Sequence, residues 1–450
     1  AHFAEVTWHP ATARLRVSRV VTVIDGGRIV NPRTGRNQIE GAVIMGVGMA
    51  LFEQTEYDAR SGAPVNSNLA DYVMTTHADA PELDVTFLDY PDLIWNELGS
   101  RGIGEIGLAG IAAAITNAVH HATGVRVRDL PVKIEDLLRF SKETLLVRGE
   151  DALMDKLISK HAREAEFLTF TSEQRLVKDE YEVAELQAAV DSTGRGFSDV
   201  IAAMPAAADH PRGERIVEGA FFGRARLEGN DIGYTTIAAA GSHACVLHWI
   251  RNDGAVRNGE LLLLDAGVEM DSYYTADITR TLPVNGKFSP AQRTLYMLVY
   301  EAQLAGFAAV KPGVPFLEIN NAAQRVLAQG LADMGVLTIS AEESMQPEVG
   351  LHRRWTLHGV SHHLGLDVHD CEHARQDMYR DGVLREGMVL TVEPGLYIQP
   401  DDELFAPEYR GIGIRIEDDV IVTADGYRNL SENIPRHPDA IEAWMASILG

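Results

Sequence analysis

The sequence predicts a mixed α/β (α+β) protein assembled from two unlike parts, and three observations carry that expectation. Strand-like runs rich in β-branched residues alternate with helix-like runs of small or long apolar residues along the whole chain. Hydrophobic residues make up 46% of the 450, which is enough for two or three packed cores. The texture also changes near residue 139. Gly-rich α/β sequence precedes that point, the short mixed stretch LLVRGEDALMDKLISKHAREAEFLTF follows it, and a long α/β segment begins near 171. The expected segments are therefore 1–138, 139–170 and 171–450.

Each element has its own signal. FAEVTWHP reads as a strand from the middle of a domain, and no initiator Met precedes it, so the N-terminus is expected to be a fragment edge. ARLRVSRVVTVID and DVTFLDY read as strands, EGAVIMGVGMALFEQ and GLAGIAAAITNAVHHATG as helices, and VRVRDLPVKIEDLL as a closing strand with a short helix. A long helix is expected from about residue 178, with Val183, Leu186, Ala189 and Val190 on its buried face. LLLLDAG and MVLTVEP read as strands. SPAQRTLYMLVYEAQLAGFAAV and FLEINNAAQRVLAQGLADMG read as helices parted at Lys311-Pro312-Gly313.

Charge and cysteine content exclude several function classes. The formal charge of −25 argues against a nucleic-acid partner, because phosphate binding needs a basic surface, and most of the acidity reads as a solvated exterior. The two cysteines, Cys245 and Cys371, can form neither a disulfide framework nor a four-thiolate site, so a reducing cytoplasm is the expected location. No apolar run has transmembrane length, no signal peptide is recognised, and no membrane partner is expected.

Five potential metal ligands punctuate the second half: Asp265, Asp277, His362, Glu393 and Glu417. Asp265 ends the apolar run LLLLD, where a buried carboxylate is costly without a cation or a partner. Asp277 follows at a distance that a hairpin can reverse. Taken singly, either aspartate reads as a turn or helix cap. His358, His362, His363 and His369 crowd a Gly-punctuated stretch in which one imidazole suffices as a ligand. Glu393 precedes Pro-Gly after a strand. Glu417 lies in RIEDD, which alone reads as a surface charge cluster, but Ile412, Ile414 and Ile416 alternate with Arg415 and Glu417. Four carboxylates and one imidazole suit a pair of hard or borderline divalent cations and do not suit a structural zinc knuckle.

Together, HGVSHHLGLDVHD, GMVLTVEPGLYIQ and RGIGIRIEDDVIVT resemble the aminopeptidase P and prolidase family of pita-bread metallopeptidases, over roughly residues 171–450. The resemblance implies the following roles. Asp265 binds one metal, Asp277 and Glu417 bridge two, and His362 and Glu393 complete the second site. His248, His358 and His369 line the substrate site and assist proton transfer, Glu393 relays a proton, and Tyr234 and Arg415 support the centre. It further implies two divalent cations, Mn²⁺ first with Zn²⁺ or Co²⁺ as alternatives. The implied substrates are peptides with proline second, attacked by a hydroxide that the metal pair activates. It leaves homo-oligomerisation open. A prolidase acting on dipeptides and a non-catalytic binding protein of the same fold are the alternatives. Only the last part of the family's N-terminal domain matches here, within 139–170.

Residues 1–138 resemble an unrelated family. DGGRIVNPRTGRNQIEGAVIMGVGMALFE, NSNLADYVMTTHADAPELDV and GSRGIGEIGLAGIAAAITNAVHHATG are similar to the C-terminal end of the molybdenum-binding subunit of xanthine dehydrogenases and aldehyde oxidases. That resemblance places Glu105 as the base of the GxGE motif and Gln38 near the pterin. Most of that subunit has no counterpart here, and two cysteines cannot ligate iron–sulfur clusters. Molybdopterin is not expected to be retained. The fragment is expected to be catalytically silent, and the chain reads as two truncated proteins joined end to end.

Overall fold

The computed structural model describes residues 1–138 and 144–450, which form two compact units, Ala1–Phe167 and Leu168–Gly450. The texture change expected near residue 139 falls in 139–143, outside the described residues.

The first unit is built on a three-stranded sheet in the order β1 (His2–His9), β2 (Arg14–Asp25), β3 (Glu82–Leu88). β1 and β2 pair antiparallel, and β2 and β3 pair parallel. Half-buried and exposed residues alternate along β1, as a sheet with one covered face requires. Helix α1 (Pro32–Leu51) starts where the Asn31 side chain accepts from the backbone N–H groups of Arg33 and Thr34 at 3.1 and 3.2 Å. Pro32 opens that helix, where its missing N–H costs nothing. Helix α2 (Ile111–Thr123) ends at Gly124, whose φ of +76° an L-residue rarely adopts. Val20, Ile24, Ile39, Val43, Val47, Ile111 and Ile115 are among the core residues. VRVRDLP forms no strand: residues 125–131 run irregularly into the short helix Ile134–Leu138. An alternating run becomes a strand only where a sheet edge accepts its backbone, and Pro131 removes one donor.

The second unit opens with α3 (Glu180–Ala208), started by a reciprocal cap between Asp179 and Glu182. Leu186, Ala189 and Val190 are buried on its inner face, and Val183 is half-buried. After α4 (Gly213–Glu228) comes an antiparallel sheet in the order β4 (Ile237–Ala240), β5 (Leu261–Ala266), β6 (Ile278–Pro283). α5 (Pro290–Ala309) and α6 (Leu317–Asp333) flank the Lys311-Pro312-Gly313 turn. The remaining strands are β7 (Val389–Val392), β8 (Gly395–Tyr397), β9 (Gly413–Arg415), β10 (Asp418–Thr423) and β11 (Gly426–Asn429).

These last strands pair in an informative way. β8 pairs with β9, and β7 pairs with β10, both antiparallel. One long hairpin is thus interrupted on both arms at the same level, by Glu393-Pro394 on one arm and Ile416-Glu417 on the other. Pro394 accounts for the first break, since it cannot donate to a ladder, and its carbonyl accepts from the Ile416 N–H at 3.3 Å. Among the described residues no helix is long and apolar enough to cross a membrane.

Candidate metal centre

The two interruptions carry Glu393 and Glu417, and the β5–β6 hairpin carries Asp265 and Asp277. Asp265 lies next to the end of β5 opposite Thr279, and Asp277 immediately precedes β6. His362 is held beside β7: its N–H donates to Thr391 Oγ1 at 3.2 Å, and the Thr391 N–H donates to its carbonyl at 2.9 Å. All five side chains line one cavity of about 1410 Å³. Asp277, His362 and Glu417 offer ligand atoms within 4.8 Å of one another. Asp265 and Glu393 fall outside that tightest group but adjoin it, Asp265 through a shared hydroxyl and Glu393 through His362. The Tyr234 hydroxyl stands 2.6 Å from Asp265 Oδ1 and 2.5 Å from Asp277 Oδ1. His362 Nε2 stands 3.3 Å from Asp277 Oδ2 and 3.5 Å from Glu393 Oε1. His362 Nδ1 faces the His363 carbonyl at 3.2 Å and donates to it, which leaves the Nε2 lone pair turned toward the carboxylates when the ring is neutral.

The electrostatics state what the cavity requires. Burial, then Asp277, Glu393 and Asp265, push the Glu417 carboxyl well above its ordinary range. Burial pushes Glu393 up to about 8, against the pull of His362 and Arg415. Burial also raises Asp265, with Arg415 opposing. Burial lowers the His362 imidazole, but Asp277 and Glu393 outweigh it and carry the group up to about 9. Four clustered carboxylates thus hold more negative charge than Arg415 and one imidazole compensate, and a cation is the group that such a donor set fits. The oxygen-rich, thiolate-free composition fits a hard or borderline divalent cation and not a structural zinc knuckle.

Arg415 donates to Asp265 Oδ2, to Thr279 Oγ1 at 3.1 Å and to the Tyr397 hydroxyl at 3.0 Å. His358 Nδ1 donates to the Gly359 carbonyl at 2.7 Å, so its Nε2 accepts from Tyr397 at 2.7 Å. Burial, then the Arg415 charge, lowers His358 to about 3 and keeps it neutral. His369 packs edge-on against His362 with ring centres 4.5 Å apart. His248, His358 and His369 all line the cavity.

Three contributors escape a reading of the sequence. Tyr397 joins Arg415 to His358. The Thr279 hydroxyl donates to Glu417 Oε2 at 2.6 Å, and Asp419 Oδ2 accepts from the Asp277 N–H at 3.1 Å. Only Asp419 carried a sequence signal, as the last residue of RIEDD.

In the first unit, Gln38 donates to the Gly104 carbonyl at 2.7 Å, which brings it beside Glu105. Both side chains are exposed, and the Gln38 donor is already engaged. An exposed pair with an engaged amide does not fit a buried pterin.

Residues 184–424 match metallopeptidase family M24, and residues 1–81 match a molybdopterin cofactor-binding domain. Xaa-Pro aminopeptidase 1 of Streptomyces coelicolor is 56% identical over 310 residues, covering 68% of this chain and 62% of that protein. Xaa-Pro aminopeptidase 2 of the same organism is 52% identical, covering 73% of this chain and 69% of that protein. The chain thus spans less than two thirds of the length of the first of these relatives. A zinc-substituted Escherichia coli aminopeptidase P in complex with product superposes with a TM-score of 0.62 at 28% identity, covering 94% of this chain and 99% of that one. Pseudomonas aeruginosa aminopeptidase PepP superposes with a TM-score of 0.56 at 37% identity, covering 61% of each chain. The expected pita-bread architecture and the expected molybdenum-domain likeness of the N-terminal part are both supported. The M24 match takes in more than half of the sequence and the whole cavity, and this chain belongs to metallopeptidase family M24.

Proposed function

We propose that the second unit is a dinuclear metallo-aminopeptidase that releases the N-terminal residue from peptides with proline in second position. The observation that carries this reading is the convergence of Asp265, Asp277, His362, Glu393 and Glu417 on one open cavity. In this reading Asp265, Asp277 and Glu417 would hold one ion, and Asp277, Glu417, His362 and Glu393 would hold the other, with Mn²⁺ the favoured metal. When bound, such a pair supplies Lewis-acid polarisation of the scissile carbonyl and acidifies a water. The chain's own residues supply the rest. Glu393 takes the proton of the attacking water at a carboxylate oxygen and returns it to the proline nitrogen as the amide bond breaks. Tyr234 and Arg415 hold Asp265 in place, and Thr279 holds Glu417. Neutral His358, fixed by Tyr397, borders the substrate together with His248 and His369. The names of the Streptomyces and E. coli relatives support the peptide class. The domain limits that accompany this reading are 1–138 for a silent molybdenum-domain fragment, 139–170 for a remnant of the peptidase N-terminal domain, and 171–450 for the catalytic domain. A cytoplasmic location belongs to the same reading.

The test is the full chain loaded with Mn²⁺ and offered two peptides that differ only in proline or alanine at the second position. Release of the first residue from the proline peptide, with about two ions per chain, is the expected result. Two bound ions without turnover would instead leave a metal-binding protein that is not a peptidase. Cleavage confined to dipeptides would make it a prolidase.

A further inference from the structure

We propose that Glu214, outside the metal centre, is a positioning residue for the cavity wall that carries His248. This rests on the peptidase reading above.

Glu214 sits in the first turn of α4 and is fully buried. An isolated buried carboxylate is costly, so its partners indicate what it does. Oε1 accepts from the Ala240 N–H at 2.9 Å and from His243 Nδ1 at 2.8 Å. Oε2 accepts from Trp249 Nε1 at 2.9 Å and from the Gly254 N–H at 2.6 Å. All four donors belong to one segment, residues 240–254, at both ends and twice between. Past Ala240, the last residue of β4, its one regular element is a short 3-10 turn, Gly241–Cys245. The backbone adds a reciprocal contact, because the Glu214 N–H donates to the Gly254 carbonyl at 3.1 Å.

The carboxylate also orients two rings against each other. His243 and Trp249 stack with centroids 3.8 Å apart and planes 24° from parallel. The stack is crowded at Gly254, where a β-carbon would lie 2.5 Å from His243 Cε1 and 2.8 Å from Glu214 Oε2. Trp249 directly follows His248, so a fixed indole fixes the backbone from which His248 enters the cavity. Leu247 and Ile250 line the same wall. Beyond Ala240 at the end of β4 the segment lacks a sheet ladder, and a charged acceptor with four donors takes that role. A glutamine there cannot do the same, since its amide NH₂ would face two of the four donors.

The test uses the full chain, Glu214→Gln, and the milder Trp249→Phe, which removes a single donor and is the fallback if Glu214→Gln fails to fold. Hydrogen exchange of the amides in 240–254 should quicken in either variant while β5 stays protected. The value of kcat/KM on the proline peptide should fall by about tenfold to a hundredfold in Glu214→Gln, with metal content unchanged. Both effects must also be tied to His248. In a His248→Ala background, Glu214→Gln should cost little further activity. An equal loss in both backgrounds would overturn the positioning role and leave Glu214 as a fold residue. Unchanged exchange in both variants would overturn it as well. A wild-type chain without turnover sinks the peptidase reading instead, and the exchange data then decide whether Glu214 holds the segment.

Discussion

Glu417 shows how much of the centre rests on single side chains. It is 1% exposed, accepts the Thr279 hydroxyl at 2.6 Å, and shares its cavity with the carboxylates of Asp265, Asp277 and Glu393. In the proposed function, replacing it with alanine removes a ligand between two like-charged ions. Glu417→Ala is therefore expected to abolish proline-peptide hydrolysis and to lower the metal content per chain, read by elemental analysis beside the assay. Full metal loading with unchanged turnover would remove Glu417 from the centre. Tyr234→Phe tests the support of the ligands rather than the ligands themselves. Without the hydroxyl between Asp265 and Asp277, metal affinity or activity should fall by about 10- to 100-fold. Asp265 and Glu393 were legible in the sequence because each stands where an apolar run stops, a costly place for a charge; Asp277, His362 and Glu417 drew notice from hairpin spacing, a histidine-crowded stretch and an alternating run. Tyr397 and Thr279 were not, since each acts across more than a hundred residues of sequence or through an ordinary-looking strand position. Thr279 sits mid-hairpin and reaches Glu417 only because β6 lies against the interrupted β9–β10 arm.

At the scale of elements, the chain shows where strand patterns succeed and fail. LLLLD and MVLTVE form strands as read, but RIEDD proves to be two strand ends with Glu417 in the gap between them. Alternation gives the facing of residues and cannot show that a partner strand breaks at the same level. Packing against that break is unusually polar. Arg280 and Asp418 are both fully buried, 2.7 Å apart, and Arg280 also donates to the Glu417 carbonyl at 2.6 Å. Arg280→Met would leave Asp418, among the described residues, with the Gln303 amide at 2.9 Å and Arg436 at 3.7 Å as its hydrogen-bond and ion-pair side-chain partners. It should cost about 3–5 kcal/mol of unfolding free energy, read by urea denaturation. The end of α4 gives a pH signature. The Arg195 guanidinium, with Arg224 adding to it, holds Glu228 down to about 2 from an ordinary 4.5. A depressed carboxyl stabilises the fold fully above 4.5 and loses that contribution as pH falls toward 2. Glu228→Gln should thus be less stable than the parent at pH 6 and converge with it near the acid limit. A constant gap across that range would rule the linkage out.

At the scale of the molecule, the two units differ in what they contribute. Every residue lining the cavity, from Tyr234 to Glu417, belongs to the second unit, and so do all the candidate ligands. The first unit has its own core around Ile39, Val43 and Ile111, and its molybdenum-family matches, Gln38 and Glu105, are exposed. Its integrity can be perturbed separately. Gly46→Val places a side chain where even a β-carbon would lie 2.6 Å from Ile111, which should cost about 1–3 kcal/mol through overpacking of α1 against α2. If the first unit is silent, that variant keeps its kcat on the proline peptide while the first unit unfolds earlier on heating. The stronger form of the same prediction removes the unit. A chain starting at Arg163 retains the helix Glu164–Arg175 whole, and with it buried Ser172 and Leu176, the latter packed into the second unit's core. It gives up the ion pair from Arg148 to Glu164, which belongs to the first unit's side of the division. The shortened chain should bind the same number of ions and turn over the proline peptide at a rate comparable to that of the full chain, per folded molecule. If it folds and loads metal yet loses all activity, the molybdenum-like unit supplies something to peptide hydrolysis that the cavity residues alone do not.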